Sequence, residues 1–535
     1  MINAARLFCL SGLGMAVAVM ALPAHARTEV APYIELDQTF IANLKGGSDD
    51  VLTYTSAAVG VDATMETARS EGQLSLRYEH QFGWNRASAD SDILSGLARA
   101  RYSVTPGTLS IEGGALATHV RTDGFSSANG SLAVAGDAKT NVYSLYAGPT
   151  LSTQVNEIDV EASYRIGYTR VEDDVSLSVP GQIELGRFDE SVYHSATASV
   201  GQQPGGYLPI GWAIGAGYDR EDATELDQRY VSKWVRGDVT IPITYSLAFV
   251  GGIGYEDIRI SQRAVLLDGN GNPVVGSNGR LVTDPASPRQ IAYDIDGLIW
   301  DAGVLWRPSR RTSLEVRVGE RYDSTHYVGN FSWRASPNGM LQIAYFDTID
   351  SFGRAMNNSL IALPSSGFVV RRNPFSSDIT GCVGGQDGGS CFNDALAAIS
   401  ASNYRHRGIE GQYSWARGRW NWGAGFGWSQ RKFIAPDNSV LASINGEKDY
   451  YYFGELFGGV KLSEVSNLGA TLYGSHLDAG LSSVDVTNYG TYVSYSRLFG
   501  RRLSAQASLG LDALDTSDLE TIISLLGQVG VRYQF

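Results

Sequence analysis

Residues 519–535 read LETIISLLGQVGVRYQF, a single strand pattern that ends on an aromatic side chain. Its apolar set is Ile523, Leu525, Val529, Val531, Tyr533 and Phe535, while Ser524, Gln528, Gly530, Arg532 and Gln534 take the alternate positions. Side chains two residues apart share one face of a strand, so one face suits hydrocarbon and the other tolerates water. The alternation recurs along the chain. Ile158, Val160, Ala162, Tyr164, Ile166 and Tyr168 alternate with Asp159, Glu161, Ser163, Arg165 and Gly167. Trp420, Trp422, Ala424, Phe426 and Trp428 alternate with Asn421, Gly423, Gly425, Gly427 and Ser429, a row of rings that would be an adhesive patch in water but is at home against lipid. Leu314, Val316, Val318 and Tyr322 alternate with Glu315, Arg317, Gly319 and Arg321, so the second face carries both signs of charge.

Composition agrees with this pattern. The 535 residues include 62 Gly, 28 Tyr, 18 Phe and 10 Trp but only 6 Met, matching crowded inward positions and aromatic interface belts. The formal net charge of −14 disfavours nucleic acid as a partner. After residue 26 no stretch approaches the roughly 20 consecutive apolar residues of a membrane helix, and barrel strands escape such a search because their polar and apolar residues cancel in the average. Residues 1–26 carry Arg6, then an apolar run, then Ala24, His25 and Ala26, the small-x-small pattern of a signal-peptidase site. The expectation is a cleaved leader and an exported chain from Arg27; Cys9 precedes most of the apolar run and is not placed as a lipoprotein cysteine.

Connections alternate between short turns, as at Pro106-Gly107 and Gly500-Arg501, and longer polar stretches at 123–137, 173–188, 266–288 and 351–402. Barrels keep short turns at the periplasm and long loops outside. Counting strands between them gives an all-β fold, a transmembrane antiparallel up-and-down β-barrel of about 22 strands over residues 27–535, in the bacterial cell outer membrane. A propeller or solenoid should show a fixed repeat, and none is found. Strand-like sequence from Tyr33 onwards leaves no room for an N-terminal plug domain, which sets the chain apart from TonB-dependent transporters.

The unusual connection is 351–402, far longer than a typical loop and therefore expected to be functional. It holds Cys382 and Cys391, the only cysteines left after leader removal, and outside the cytosol these are expected to pair as a disulfide. Asn393 is placed to cap a short helix over 394–399. The segment either folds into the lumen as a constriction or forms an extracellular lid, and the residues do not choose.

No metal, cofactor or catalytic site is expected, and the protein is read as a non-enzyme. The six histidines outside the leader are scattered, without a His-x-x-x-His pair or a Gly-x-Ser-x-Gly elbow. His326, with Asp323 and Ser324 nearby, is the one constellation worth testing. Acidic pairs such as Asp49-Asp50 and Asp173-Asp174 suit solvated loop tips or bridging cations. Glu161, Arg165, Glu315, Arg317 and Arg321 are candidate lumen-lining residues that would set the field of a water-filled interior.

Two resemblances add to this. A strand ending on Tyr533 and Phe535 resembles the C-terminal signal of bacterial outer-membrane barrels, which implies the barrel-assembly machinery as a partner. The run Arg310-Arg311-Thr312-Ser313-Leu314 through Arg321-Tyr322 to Phe331-Ser332-Trp333, followed by residues 341–345, resembles the hairpins of the exosortase (PEP-CTERM) system-associated outer-membrane β-barrel family, most clearly over 306–351. The resemblance implies a role in the cell envelope beside exopolysaccharide and surface-protein sorting, and carries over no active-site residue. Three functions are carried forward: a passive or loop-gated channel for small hydrophilic solutes or glycan, a non-conducting structural or assembly barrel, and a barrel hydrolase. Partners would be outer-membrane lipid and lipopolysaccharide, with exopolysaccharide as a further candidate.

Overall fold

The computed structural model describes residues 27–47, 51–84, 90–121, 139–173, 188–276, 280–379, 381–385, 388–397, 399–480, 485–517 and 519–535. The leader (1–26), Asp49-Asp50, the 123–137 stretch and residues 174–187 lie outside them. Among the described residues, 22 strands form one antiparallel sheet in which sequence neighbours pair. The first strand, Arg27–Lys45, then pairs with the last, Leu519–Gln534, in a register running from Tyr33 opposite Gln534 to Lys45 opposite Ile523. The sheet therefore closes on itself, which removes the exposed edges an open sheet would have to protect.

The alternation seen in the sequence is the inside-outside partition of this wall. On the last strand Val529, Val531 and Phe535 are exposed whereas Ser524, Leu526 and Gln528 are buried. On Ser70–Gly83 the exposed set is Leu76, Tyr78 and Phe82, and the buried set is Ser75, Arg77, Glu79 and Gln81. Trp420, Trp422 and Phe426 are exposed on Trp420–Ile434, and Ser429 and Arg431 are buried. In a water-soluble protein the ion pairs would be outside and the rings inside. Here the order is reversed.

Tight turns close one end, where Gly107, Gly418 and Gly500 supply the positive φ such turns require. The two terminal strands pair at this same end, because Tyr33 lies opposite Gln534. At the opposite rim the longer connections pack on each other. Leu226, Val265, Leu281, Ala435, Leu441 and Ile444, drawn from three connections, form a small apolar cap. Between the rims, the largest buried apolar cluster joins inward side chains of the wall (Leu97, Leu116, Val142, Val171) to Phe352, Met356, Leu360, Phe392 and Leu396. That second set belongs entirely to the 351–402 connection, which lies inside the barrel.

Candidate functional site: the filled lumen

A closed barrel with rings and aliphatic chains outward and buried arginines inward matches a lipid surround and a polar interior. The protein is an outer-membrane β-barrel. Its distinctive site is the lumen of that barrel and the segment that fills it.

The filling segment enters as a helix. α1 (Phe352–Ile361) begins at Ser351, whose hydroxyl accepts from the Arg354 amide, one of the first-turn N–H groups a helix cannot satisfy itself. The same hydroxyl donates to Glu221 Oε2 at 2.6 Å. Arg354 binds that carboxylate at 2.6 Å, lies 3.7 Å from the Tyr230 ring centroid and donates to Asn403 Oδ1 at 3.1 Å. Phe352, Met356 and Leu360, spaced four apart, form one helical face and seat it on the wall. Gly167 makes room for this contact, since a Cβ there would collide with the Asn357 side chain. Beyond the far end, Arg99 donates to the Leu363 carbonyl at 2.8 Å and to the Ile361 carbonyl at 3.3 Å, a cation at the electronegative end of the helix.

From there the chain crosses the lumen, tied to successive strands. Gln73 donates to the Phe368 carbonyl at 2.7 Å, Tyr54 to the Phe375 carbonyl at 2.6 Å and Ser377 to Glu79 at 2.7 Å. The Ile379 amide donates to Thr118 Oγ1 at 2.9 Å. A small hairpin of Cys382–Gly385 and Gly388–Cys391 follows, closed by the Cys382–Cys391 disulfide. It packs on Gly425, where a Cβ would strike Cys382 Sγ. The segment leaves through α2 (Asn393–Leu396), a single turn whose Asp394 is held by His406 Nε2 at 2.8 Å, Arg431 at 2.8 Å and Ser429 at 2.6 Å. Asn393 is not the cap expected from the sequence: it is the first helical residue, and Phe392 precedes it with no side-chain cap. A residue inside the first turn cannot cap it, because the capping side chain must come from the residue that precedes the helix.

Toward the tight-turn end lies a cavity of about 800 Å³, roofed by Arg371 and Arg372 of the segment and lined by polar side chains such as Ser494, Gln506 and Gln528 together with apolar ones such as Trp415, Phe457 and Leu468. Arg77 projects into it, held by Glu35 at 2.9 Å, Asp37 at 3.1 Å and Glu79 at 2.9 Å.

The candidate lumen-lining residues lie on other parts of the wall and do not line this cavity. Arg165 pairs with Glu112 at 2.7 Å. Arg317 binds Glu315 at 2.6 Å, Asp238 at 2.8 Å and Asp301 at 3.2 Å, and Arg236 also bridges Asp238 and Asp301. Arg321 donates to Glu256 at 2.7 Å. These pairs run along the wall, mostly between nearby strands, and do not span the lumen. Glu161 is exposed and takes part in none of them. Tyr533 and Phe535 meet edge to face at 5.2 Å on the outer surface, and the Phe535 amide donates to the Pro32 carbonyl at 3.0 Å. His326 meets Asp347 at 3.3 Å, not Asp323, and the Ser324 hydroxyl accepts from Arg405 and Arg407. The local spacing of Asp323, Ser324 and His326 therefore does not form a relay among those three.

Asp394, Arg431, Arg354 and Glu221 were not anticipated from sequence, since each pair joins segments far apart in the chain. In the rim cap, burial pushes the Glu225 carboxyl up to about 7, against the opposing pull of Arg280 and the Leu281 amide. Asp268, in the glycine- and asparagine-rich turn, is held low by the Asn272 and Asn270 amides at 2.8 Å, turn chemistry of the ordinary kind.

No protein-family model matches the chain, and no curated protein does. Solved structures of similar build include the ferric-catecholate import receptor Fiu from E. coli, at TM-score 0.44 and 9% identity, covering 94% of this chain and 81% of that one. The siderophore receptor PiuA from Acinetobacter baumannii gives TM-score 0.42 and 9% identity over 94% and 82% of the two chains. The FrpB iron transporter from Neisseria meningitidis gives 0.43 and 11% over 94% and 82%. No cargo is carried over from any of them.

Proposed function

We propose that this outer-membrane barrel is a loop-gated conduit for small hydrophilic solutes or a glycan chain, drawn here with its gate shut. The observation that supports the reading is the 351–402 segment: it fills the rim-side lumen while leaving a cavity of about 800 Å³ beneath it, lined by charged, polar and apolar side chains. A wall built only for support has no need of such a chamber. The resemblance to exosortase-associated barrels favours an envelope glycan among the candidate permeants.

The test is single-channel recording of the refolded mature protein in a planar bilayer, beside a variant lacking residues 375–394. The full-length protein should be nearly silent and the shortened one should conduct in discrete steps. Silence from a shortened but folded barrel would favour the second reading, a non-conducting structural or assembly barrel. That reading draws on the buried ion pairs at both ends of the segment, Arg354–Glu221 and Asp394–Arg431, which would suit a permanent seal.

A further inference from the structure

Most neighbouring strands of the wall are laddered from turn to rim; the exceptions include residues 91–95 beside 118–121, residues 290–299 above the short hairpin that follows them, and the seam between Ser324–Ser336 and Gly339–Asp350. Ser324–Ser336 pairs with Gly339–Asp350 only from Gly329 opposite Tyr345 down to Ser336 opposite Gly339. Residues 324–328 and 346–350 share no ladder, although each pairs with its other neighbour, up to Arg321 opposite Ser324 and Asp350 opposite Tyr404. Side chains bridge the gap. Asp347, 4% exposed, accepts from both Nε and Nη2 of Arg405 at 2.8 Å and from Arg407 at 3.1 Å, and meets His326 at 3.3 Å. Arg407 also reaches across to the Thr325 carbonyl at 3.4 Å.

The depth of the seam matters. The hairpin formed by Thr312–Arg321 and Ser324–Ser336 is low: it meets Gln290–Ser309 first at Glu320 opposite Trp300, leaving residues 290–299 unladdered on that side. On the outer face of Gln290–Ser309, Leu298 is 63% exposed, and the next outward positions are Asp296 and Asp294, each bonded to a side chain of the adjoining strand. The lipid-facing band thus ends near Leu298, and Trp300 donates to Glu320 at 3.3 Å just below. The open seam begins lower still, at Val328 and Phe346, and so within the outer leaflet. An unladdered seam at that depth is not the default of a barrel wall, because unpaired backbone groups are costly in lipid.

We propose that this seam is a lateral portal for the polar head of an outer-leaflet glycolipid, the hydrocarbon tails remaining in the membrane. A sideways opening between a lumen of ion pairs and hydroxyls and a surround of hydrocarbon fits a molecule that has both parts, and a freely soluble solute would have no use for it. The guanidiniums of Arg405 and Arg407 stand where an anionic or polyhydroxylated head would exchange for Asp347. This goes beyond the conduit reading and does not require ion conduction.

The test measures distance, so that it stands apart from any recording of current. Cys382 and Cys391 are bonded to each other, which leaves introduced thiols as the free ones. Nitroxides are placed across the seam (Thr325→Cys with Thr348→Cys) and, as a control, across a laddered seam (Leu472→Cys with Thr491→Cys, directly opposed). Both are measured in bilayers of phosphatidylglycerol with and without a diphosphorylated hexa-acyl glucosamine disaccharide. The seam pair should gain a second, longer distance only with the glycolipid. Asp347→Ala, and the milder Asp347→Asn, should raise that population by at least about tenfold, since the bridging guanidiniums lose their shared carboxylate. The control pair should keep one distance throughout. A single seam distance under every condition would overturn the portal, and opening to the same extent in phosphatidylglycerol alone would overturn its assignment to glycolipids.

Discussion

Two acidic side chains carry most of what can be tested one residue at a time. Asp394 neutralises the guanidinium of Arg431, itself almost wholly buried, and meets the His406 imidazole at 2.8 Å. Taking the carboxylate away leaves that guanidinium charged in a poor solvent, at a cost of about 3–5 kcal/mol. Asp394→Ala should therefore free α2 from the wall: amide exchange at Ala395 and Leu396 should quicken by orders of magnitude while the distant strands Ser466–Ala479 and Val486–Phe499 exchange as before. Glu225 makes the opposite kind of prediction. Its carboxyl titrates near 7 in the folded cap against 4.5 in a free chain, so the folded form holds the proton more tightly. The stabilisation is then complete below about pH 4.5 and is lost as pH rises through 7, a swing of roughly 3 kcal/mol at most. Protease nicking of residues 263–276 should accordingly be slower at pH 5 than at about pH 8, and Glu225→Gln should flatten the difference. Equal nicking of the natural chain at both pH values would show that Glu225 is not the group that tightens the cap.

At the scale of elements, the barrel strands were legible because the information is local. A period of two on Ile158–Asp173 or Trp420–Ile434 needs no knowledge of the rest of the chain, and tight turns such as Pro106-Gly107 announce themselves. The strand number followed by counting. The position of 351–402 was not legible, because the contacts that decide it join residues such as Arg354 with Glu221, or Gln528 with the Pro374 carbonyl, across more than a hundred positions. One signal for it is nevertheless local. Ser351 ahead of Phe352, Met356 and Leu360 is a helix start followed by a four-residue apolar spacing, and it marks α1 inside what looked like a loop. Ser351→Ala tests how much that start matters. It removes a cap worth about 1 kcal/mol together with a hydrogen bond to Glu221, so protection of the α1 amides should fall by roughly tenfold or more. An unchanged exchange rate would mean that the Arg354–Glu221 pair alone sets the position of α1.

The whole molecule is governed by closure, and the last strand bears on closure in two separable ways. Its backbone joins Arg27–Lys45 through a continuous ladder, so the geometry of the ring does not depend on the side chain at the end. Phe535 is 60% exposed and touches chiefly Tyr533, so the folded barrel gains little from it beyond one ring contact of about 1 kcal/mol. If the terminal ring is read by the assembly machinery, Phe535→Ala should leave detergent-refolded protein almost unchanged in its heat-dependent gel shift and melting, yet lower the amount inserted into outer membranes of living cells severalfold. The two assays pull apart what a single one would confound. Equal loss in both would place Phe535 among the residues that hold the barrel together, whereas no loss in either would leave the ladder between the first and last strands as the whole of what the C-terminal strand contributes.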